Sequence, residues 1–370
     1  MLNKYAKSVM KRLKFNKIFC RLFAFSKHNY TSMTKEEAYE VMEATSPRPS
    51  GEGVINNEVI YPYPYDLQII VPAFNVEKYL QECMDSILAQ KTKYSYIVYL
   101  IDDGSTDKTS EIADSYSKNN RVKVIHQANK GFSGARNTGL KNIVGEYISF
   151  VDSDDMLPEG AIEALMSTAK ERDADIVQGG YYRLRKNIQV ESLAPKQKIK
   201  LNELGKIPGF PWGKVFRSSL WENIRFPEGY WFEDSVNSFL VYPKSRSSYL
   251  IPQMCYIYRQ NENSITHTFS GKPKSVDTYW ITELLVKEHD ELGLKRDNAY
   301  YEKIFRQIAL NAKRVSGMSE KVREAVFVLT HALLSEQFSE MKEIKKYKLL
   351  QQAINNKDFG LYEFYAKYYY

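Results

Sequence analysis

The fold is decided by residues 67–107, which read LQIIVPAFNVEKYLQECMDSILAQKTKYSYIVYLIDDGSTD. The first five residues form a short apolar run, typical of a buried strand, and Tyr96 to Ile101 form a second run of this kind. Between the two runs, apolar residues from Val76 to Leu88 recur every three or four positions, which predicts an amphipathic helix capped by Asn75. The stretch therefore predicts a strand–helix–strand unit.

The same alternation continues as far as residue 151. Apolar runs predict strands at Val122–Ile125 and Tyr147–Val151, and helices are predicted to begin at Asp107 and to span Gly131–Val144. Strands that alternate with helices indicate an α/β fold in which a mostly parallel central sheet carries helices on both faces. Ligands of such sheets bind at the carboxyl ends of the strands.

Four segments are predicted along the chain. A basic amphipathic arm spans residues 1–45, and a Pro- and Gly-rich linker spans residues 46–66. The α/β domain spans residues 67–275, and helical periodicity dominates residues 276–370.

The positive charge of the chain belongs to the arm. The 370 residues carry a net charge of +7, whereas the first 35 alone carry +9, so the remaining 335 sum to −2. This distribution excludes a body that coats nucleic acid, and no nucleic-acid partner is expected. A basic amphipathic helix within residues 1–28 either contacts an anionic membrane surface or packs on the body, and both alternatives stay open.

The cysteines and the apolar segments indicate the compartment. Cys20, Cys83 and Cys255 are far apart and odd in number, which favours a reducing environment over a disulfide framework. No apolar run approaches the roughly 20 residues that span a bilayer. Arg21 interrupts the apolar stretch near the N-terminus, which argues against a cleaved signal peptide. We expect a cytoplasmic protein, and peripheral attachment to the cytoplasmic face of the membrane follows only in the alternative in which the basic arm contacts lipid.

The strongest chemical signal is residues 149–155, SFVDSDD, at the end of a predicted strand. Three carboxylates within four residues repel one another, and a divalent cation with oxygen ligands relieves this repulsion. The alternative is a solvated turn or a helix cap, because a helix is predicted after Pro158.

Two further segments accompany this acidic cluster. Asp102 and Asp103 follow another strand, and residues 129–137, NKGFSGARN, combine glycines with Lys130 and Arg136. A glycine-rich helix start with nearby cations suits an anion, although such a turn alone is a weak signal. Residues suited to a divalent cation, a diphosphate and a nucleoside base together indicate a binding site for a nucleotide donor.

These motifs resemble those of family 2 glycosyltransferases, through residues 71–80, 102–107, 129–137 and 152–155. The resemblance covers roughly residues 67–270, and residues 212–217, 224–234 and 258–266 extend it to the bacterial polysaccharide and glycolipid branch. It implies the GT-A fold and an inverting enzyme of the hexosyltransferase type that uses a nucleotide-sugar with Mn²⁺ or Mg²⁺.

The resemblance also implies roles for individual residues. It assigns donor binding to Pro72, Phe74, Asn75, Asp103, Lys130, Arg136, Asp152 and Ser153. Asp154 would ligate the metal, and His267 either completes the metal shell or is structural. Asp234 would be the general base, with Trp212, Lys214 and Glu233 on the acceptor side. Phe74 stands where the family more commonly has Tyr, so stacking remains but a hydroxyl hydrogen bond is lost.

The function implied is transfer of a sugar, from a UDP-sugar in the first instance, to a hydroxyl of a saccharide or lipid-linked acceptor in cell-surface polysaccharide or glycan synthesis. The protein is also expected to be able to associate with copies of itself as a homo-oligomer. The alternative is a non-catalytic nucleotide-sugar-binding or scaffold protein of the same fold. A nicotinamide-dependent dehydrogenase is excluded, because residues 72–75 read PAFN where that class carries a glycine fingerprint.

Overall fold

The computed structural model describes residues 27–185, 188–201, 207–260 and 269–368. The chain forms two compact units. The sheet unit comprises the described residues of 49–264 and 284–295, and the helical unit those of 1–48, 265–283 and 296–370. This division differs from the four predicted segments, because residues 49–66 belong to the sheet unit instead of forming a separate linker.

The strands of the sheet unit follow one another closely along the chain. They are β1 (Glu58–Val59), β2 (Tyr65–Ala73), β3 (Tyr96–Asp102), β4 (Val122–His126), β5 (Asn142–Ile143), β6 (Gly145–Phe150), β7 (Ile176–Arg185), β8 (Ile188–Leu193), β9 (Ile199–Leu201), β10 (Lys214–Arg217) and β11 (Ser248–Arg259). The main sheet has the order β4-β3-β2-β6-β10-β7-β11-β9, and β8 pairs with β7. Strands β4, β3, β2 and β6 are mutually parallel, and β10 is antiparallel to both of its neighbours. The predicted α/β fold with a mostly parallel central sheet is confirmed.

The helices alternate with these strands and then dominate the C-terminal region. They are α1 (Lys35–Thr45), α2 (Leu80–Leu88), α3 (Thr109–Ser115), α4 (Gly131–Leu140), α5 (Ala161–Glu171), α6 (Asp277–Glu291), α7 (Asn298–Arg314), α8 (Glu320–Gln337), α9 (Lys348–Asn355) and α10 (Phe359–Tyr368). Helix α2 begins at Leu80 and not directly after Asn75, because Asn75 adopts a φ of 49° and its side chain binds a neighbouring loop. None of the described helices is long and apolar enough to cross a membrane.

The core of the sheet unit positions one edge of the sheet. The inward residues of β2 and β3 pack with the apolar stripes of α2 and α5, and this periodicity is what the sequence displays. In the parallel register, Ala73 lies beside Asp102 and Ile70 lies beside Phe150. The loops that follow β2, β3 and β6 therefore emerge at the same edge.

Residues 49–60, which we call the strap, are held on the sheet unit. The Gly53 N–H donates to Glu288 Oε1 at 2.7 Å, and the Asn57 side-chain amide donates to the carbonyl of Trp221 at 2.6 Å. Strand β1 of the strap pairs in parallel with β5. Prolines and glycines here shape a bound segment, which is why the composition of this stretch is also typical of a linker.

The helical unit is organised around α8. Helix α1 begins with a capping box between Thr34 and Glu37, and it packs against α8. Near the C-terminus, the ring of Tyr362 lies 4.8 Å from that of Phe327. The predicted basic helix of residues 1–28 lies outside the described residues except for Lys27 and His28.

Candidate active site

Asp103 stands at the end of β3 and organises the loop before α4. It is only 2% exposed, and its Oδ1 accepts from Gln127 Nε2 at 2.6 Å and from the Lys130 N–H at 2.9 Å. A buried carboxylate that accepts from a backbone N–H fixes the geometry of that loop. Asp103 and Lys130 were both predicted at the donor site, and the structure brings them together.

The neighbouring Asp102 has a structural role. Its carboxylate accepts from the Ser105 N–H, the Ser110 hydroxyl and His126. Burial raises the pKa of Asp102, but these hydrogen bonds outweigh burial, and the pKa is lowered from its usual value. Asp102 thus stays ionised and holds the turn that presents Asp103.

The loop after β2 presents an aromatic surface at this edge. Asn75 Oδ1 accepts from the Thr106 N–H at 2.8 Å, which ties the β2 loop to the β3 loop. Phe74 follows Pro72 and Ala73 at the end of β2, and it is 46% exposed although its side chain is large and apolar. Pro72, Phe74 and Asn75, which were predicted to bind the donor, therefore lie at the same edge of the sheet as Asp103, and the Asn75 side chain is engaged by the protein itself.

The acidic residues after β6 divide their tasks. Asp155 is buried, and its Oδ1 accepts from the Arg259 N–H at 2.7 Å, so it supports the loop; Ser153, which was predicted to bind the donor, is buried as well. Burial and the charge of Asp152 raise the pKa of Asp154 to about 6. The ionised Asp154 carboxylate is thus electrostatically costly in the isolated chain, and a bound cation would relieve this cost.

Arg136 of α4 connects the acidic loop to the loop of residues 226–234. Its Nη2 donates to Asp152 Oδ1 and its Nη1 to Glu233 Oε1, both at 2.7 Å. The guanidinium lies over the ring of Phe226, with its carbon 5.3 Å from the ring centroid. Arg136 is 6% exposed, so these charge pairs are largely removed from water.

Glu233 is electrostatically unusual. Burial raises its pKa to about 7, and the charge of Asp234 acts in the same direction while Arg136 opposes it. Glu233 and Asp234 are adjacent in the loop, and Asp234 is partly exposed. The loop therefore offers one carboxylate locked to Arg136 and a second, neighbouring one that is partly exposed.

The predicted acceptor residues Trp212 and Lys214 are buried supports. Lys214 Nζ donates to the carbonyls of Pro208 and Phe210, at 2.9 and 2.7 Å, and contacts the Tyr242 hydroxyl at 2.9 Å. Burial lowers the pKa of Lys214, and the charge of Asp234 opposes the shift. The Trp212 ring stacks on Phe210, with ring centroids 3.7 Å apart. Trp212 and Lys214, two of the three predicted acceptor residues, can therefore affect an acceptor only indirectly, by holding the loops around them in place.

The residues that could hold a cation are Asp152 and Asp154. Among the described residues, no group of three or more His, Cys, Asp or Glu side chains is arranged to hold a metal ion. His267, which was predicted as a further ligand, lies outside those residues. Two carboxylates, one with a raised pKa, fit a cation that takes its other oxygen ligands from a bound diphosphate.

The chain is similar in sequence to known glycosyltransferases. The family model described as glycosyl transferase family 2 matches residues 68–219. The glycosyltransferase GlyA of Streptococcus pneumoniae serotype 4 is 31% identical over 78% of this chain, which spans 44% of the length of GlyA. The glycosyltransferase GlyG of the same organism is 34% identical over 55% of this chain and 73% of its own length.

The fold has a counterpart among solved structures. The crystal structure of residues 1–349 of S. aureus TarS, in complex with UDP-GlcNAc, superimposes with a TM-score of 0.63 at 21% identity. The match covers 80% of this chain and 89% of that one. This likeness concerns the fold alone. From the matched sequence and the acidic strand ends, the chain belongs to glycosyltransferase family 2.

Proposed function

We propose that this protein transfers a sugar from a nucleotide-diphosphate donor to an acceptor hydroxyl, with inversion at the anomeric carbon, in the synthesis of a cell-surface glycan. The observation that carries the proposal is the shared guanidinium of Arg136, which joins Asp152 at the donor edge to Glu233, next to Asp234. Donor-binding and proton-accepting residues are thereby coupled through one buried side chain.

The donor would lie across the ends of β2, β3 and β6. The exposed ring of Phe74 offers a stacking surface, and Lys130 and Arg136 supply positive charge near the diphosphate. TarS, which shares the fold, was crystallised with UDP-GlcNAc, and this makes UDP-GlcNAc the first donor to test.

A divalent cation, Mn²⁺ or Mg²⁺, would be held by Asp154 with Asp152 beside it. When bound, such a cation stabilises the negative charge of a leaving diphosphate. Asp234 would accept the proton of the acceptor hydroxyl, which is a poor nucleophile until that proton is removed. Glu233, fixed by Arg136, would keep the loop and Asp234 in position.

The acceptor would be a saccharide or a lipid-linked saccharide. Homo-oligomerisation, and membrane contact through residues 1–28, stay predictions from the sequence. The competing function is that of a non-catalytic nucleotide-sugar-binding protein. Such a protein would bind the donor without turning it over, whereas a transferase would release the nucleotide.

The test uses the full chain with a panel of UDP-sugars and MnCl₂. We expect UDP-GlcNAc to raise the melting temperature, since a ligand that binds only the folded state stabilises it. We also expect slow release of UDP, which EDTA abolishes. Stabilisation without release of UDP, in the presence of any saccharide acceptor, would favour the binding protein, and no response to any nucleotide-sugar would contradict the proposal.

A further inference from the structure

The sheet unit contains an open surface cavity of about 560 Å³, away from the acidic loop. We call it the tyrosine cavity; its lining includes Asn56, Tyr61, Ser219, Glu222, Asn223 and Lys244. Residues of the strap form one wall, and the segment after β10 forms the other.

The tyrosine cavity lies at the opposite edge of the sheet from the candidate active site. The Ser218 hydroxyl, next to the lining residue Ser219, donates to the carbonyl of Gly145, the first residue of β6. The acidic loop follows the last residue of the same strand. Six residues of strand rise about 3.3 Å each, so the two sites are on the order of 20 Å apart. A ligand in this cavity therefore does not touch the reacting groups.

Tyr61 is an exposed aromatic ring that the protein holds in one orientation. It is 62% exposed, yet its hydroxyl donates to Glu222 Oε1 at 2.5 Å and its ring centroid lies 4.8 Å from that of Tyr63. An aromatic side chain fixed in this way loses little conformational freedom when a ligand stacks on it. Its apolar face is available and its polar end is satisfied.

The charges of the tyrosine cavity compensate each other. Lys244 Nζ donates to the carbonyls of Ser219 and Leu220 and to Asn223 Oδ1, at 3.3, 3.1 and 2.7 Å. All three ammonium donors are thus used, and Glu222 supplies the opposite charge nearby. The Asn56 side-chain amide, in contrast, has no hydrogen bond to any other described residue.

We propose that the tyrosine cavity binds a neutral oligosaccharide at a site separate from the transfer reaction. A sugar offers an apolar C–H face for the exposed ring of Tyr61 and hydroxyls for the polar residues that make up most of the lining, among them Asn56, Glu222 and Ser219. Binding of an anionic polymer is disfavoured, because the Glu222 carboxylate would repel it and the Lys244 ammonium is already hydrogen-bonded to three protein acceptors. Such a site would hold a glycan chain close to the enzyme and raise its effective concentration at the active site.

The test measures binding to the full chain by isothermal titration calorimetry. The probes are cellotetraose, maltotetraose and chitotetraose, each titrated with UDP and MnCl₂ at saturation so that the donor site is filled. We expect at least one tetrasaccharide to bind, and Tyr61→Ala to weaken that binding about tenfold. Tyr61→Phe keeps the ring, so its affinity should stay within about threefold of the original chain.

The matched control is Tyr30→Ala, because Tyr30 is 64% exposed but belongs to the helical unit. This variant should bind the tetrasaccharides like the unaltered chain. The proposal is overturned if none of the three probes binds, if Tyr61→Ala binds as tightly as the unaltered chain, or if a glycerol-phosphate oligomer binds more tightly than every neutral probe. The calorimetry measures oligosaccharide binding and not sugar transfer, so its result can be interpreted even if the transfer assay shows no activity.

Discussion

Arg136 and Glu233 form a buried ion pair, with Nη1 2.7 Å from Oε1, and the other terminal nitrogen of the same guanidinium holds Asp152. The residues of the pair are 97 positions apart in sequence. A planar guanidinium can serve two carboxylates at once, which a lysine ammonium on its flexible stem does less well. The bridge therefore depends on arginine at this position, and it links the proposed donor edge to the loop of the proposed base.

Replacing Arg136 by Met is expected to destabilise the protein by about 3–5 kcal/mol, because the mostly buried Glu233 and the partly exposed Asp152 both lose their partner. Urea denaturation at pH 7.5 measures this change. The control is Arg183→Met, which removes a 2.8 Å ion pair with Glu191 at the surface and should cost about 1 kcal/mol or less. Equal destabilisation of the two variants would show that the Arg136 bridge contributes no more to stability than a surface ion pair does.

Asp154 is expected to make the metal-free protein less stable as the pH rises. Its folded pKa of about 6 exceeds the ordinary value of 3.8, so the folded state binds the proton more tightly, and stability falls between pH 3.8 and 6 and stays low above. Asp154→Asn should therefore stabilise the chain by about 1–3 kcal/mol at pH 7.5 in EDTA and leave it nearly unchanged at pH 4. Urea denaturation at both pH values tests this.

The control for this prediction is Asp173→Asn, since Asp173 is 92% exposed in its side chain. It should produce no comparable gain at pH 7.5. Addition of MnCl₂ should stabilise the unaltered chain more than Asp154→Asn, because the cation favours the ionised carboxylate. A variant that responds to MnCl₂ as strongly as the unaltered chain would remove Asp154 from the proposed metal site.

Asp234→Asn is expected to lower the rate of transfer roughly 10²–10⁴-fold, because asparagine cannot accept the proton of the acceptor hydroxyl. Binding of UDP-GlcNAc, measured by thermal shift, should persist, because no donor-edge residue has changed. Ser238, one turn further on, is partly exposed, and Ser238→Ala serves as the control with transfer nearly unchanged. Transfer at the original rate in Asp234→Asn would exclude this residue as the base.

The sequence made the fold and the acidic strand ends predictable for a physical reason. Buried parallel strands are short apolar runs, their helices carry a 3.6-residue stripe, and the carboxyl ends of such strands share one edge. The ion pair of Arg136 with Glu233 was not predictable, because it joins distant segments and no local pattern marks it. The strap was predicted as a linker, because prolines and glycines occur alike in free linkers and in bound extended segments.

Lys214 illustrates the same limit and gives the last prediction. The family resemblance implied a place for Lys214 on the acceptor side, whereas the structure buries it and places its ammonium among the Pro208 and Phe210 carbonyls. Lysine is almost never fully buried, so no sequence pattern marks such a position. Lys214→Met should destabilise the chain by about 1–3 kcal/mol, because buried carbonyls lose their donor. The control is Lys244→Met, in which carbonyls of a less buried site lose a donor and the cost should be smaller. A Lys214→Met chain with unchanged stability in urea and a raised KM for the acceptor would instead make Lys214 an acceptor-binding residue.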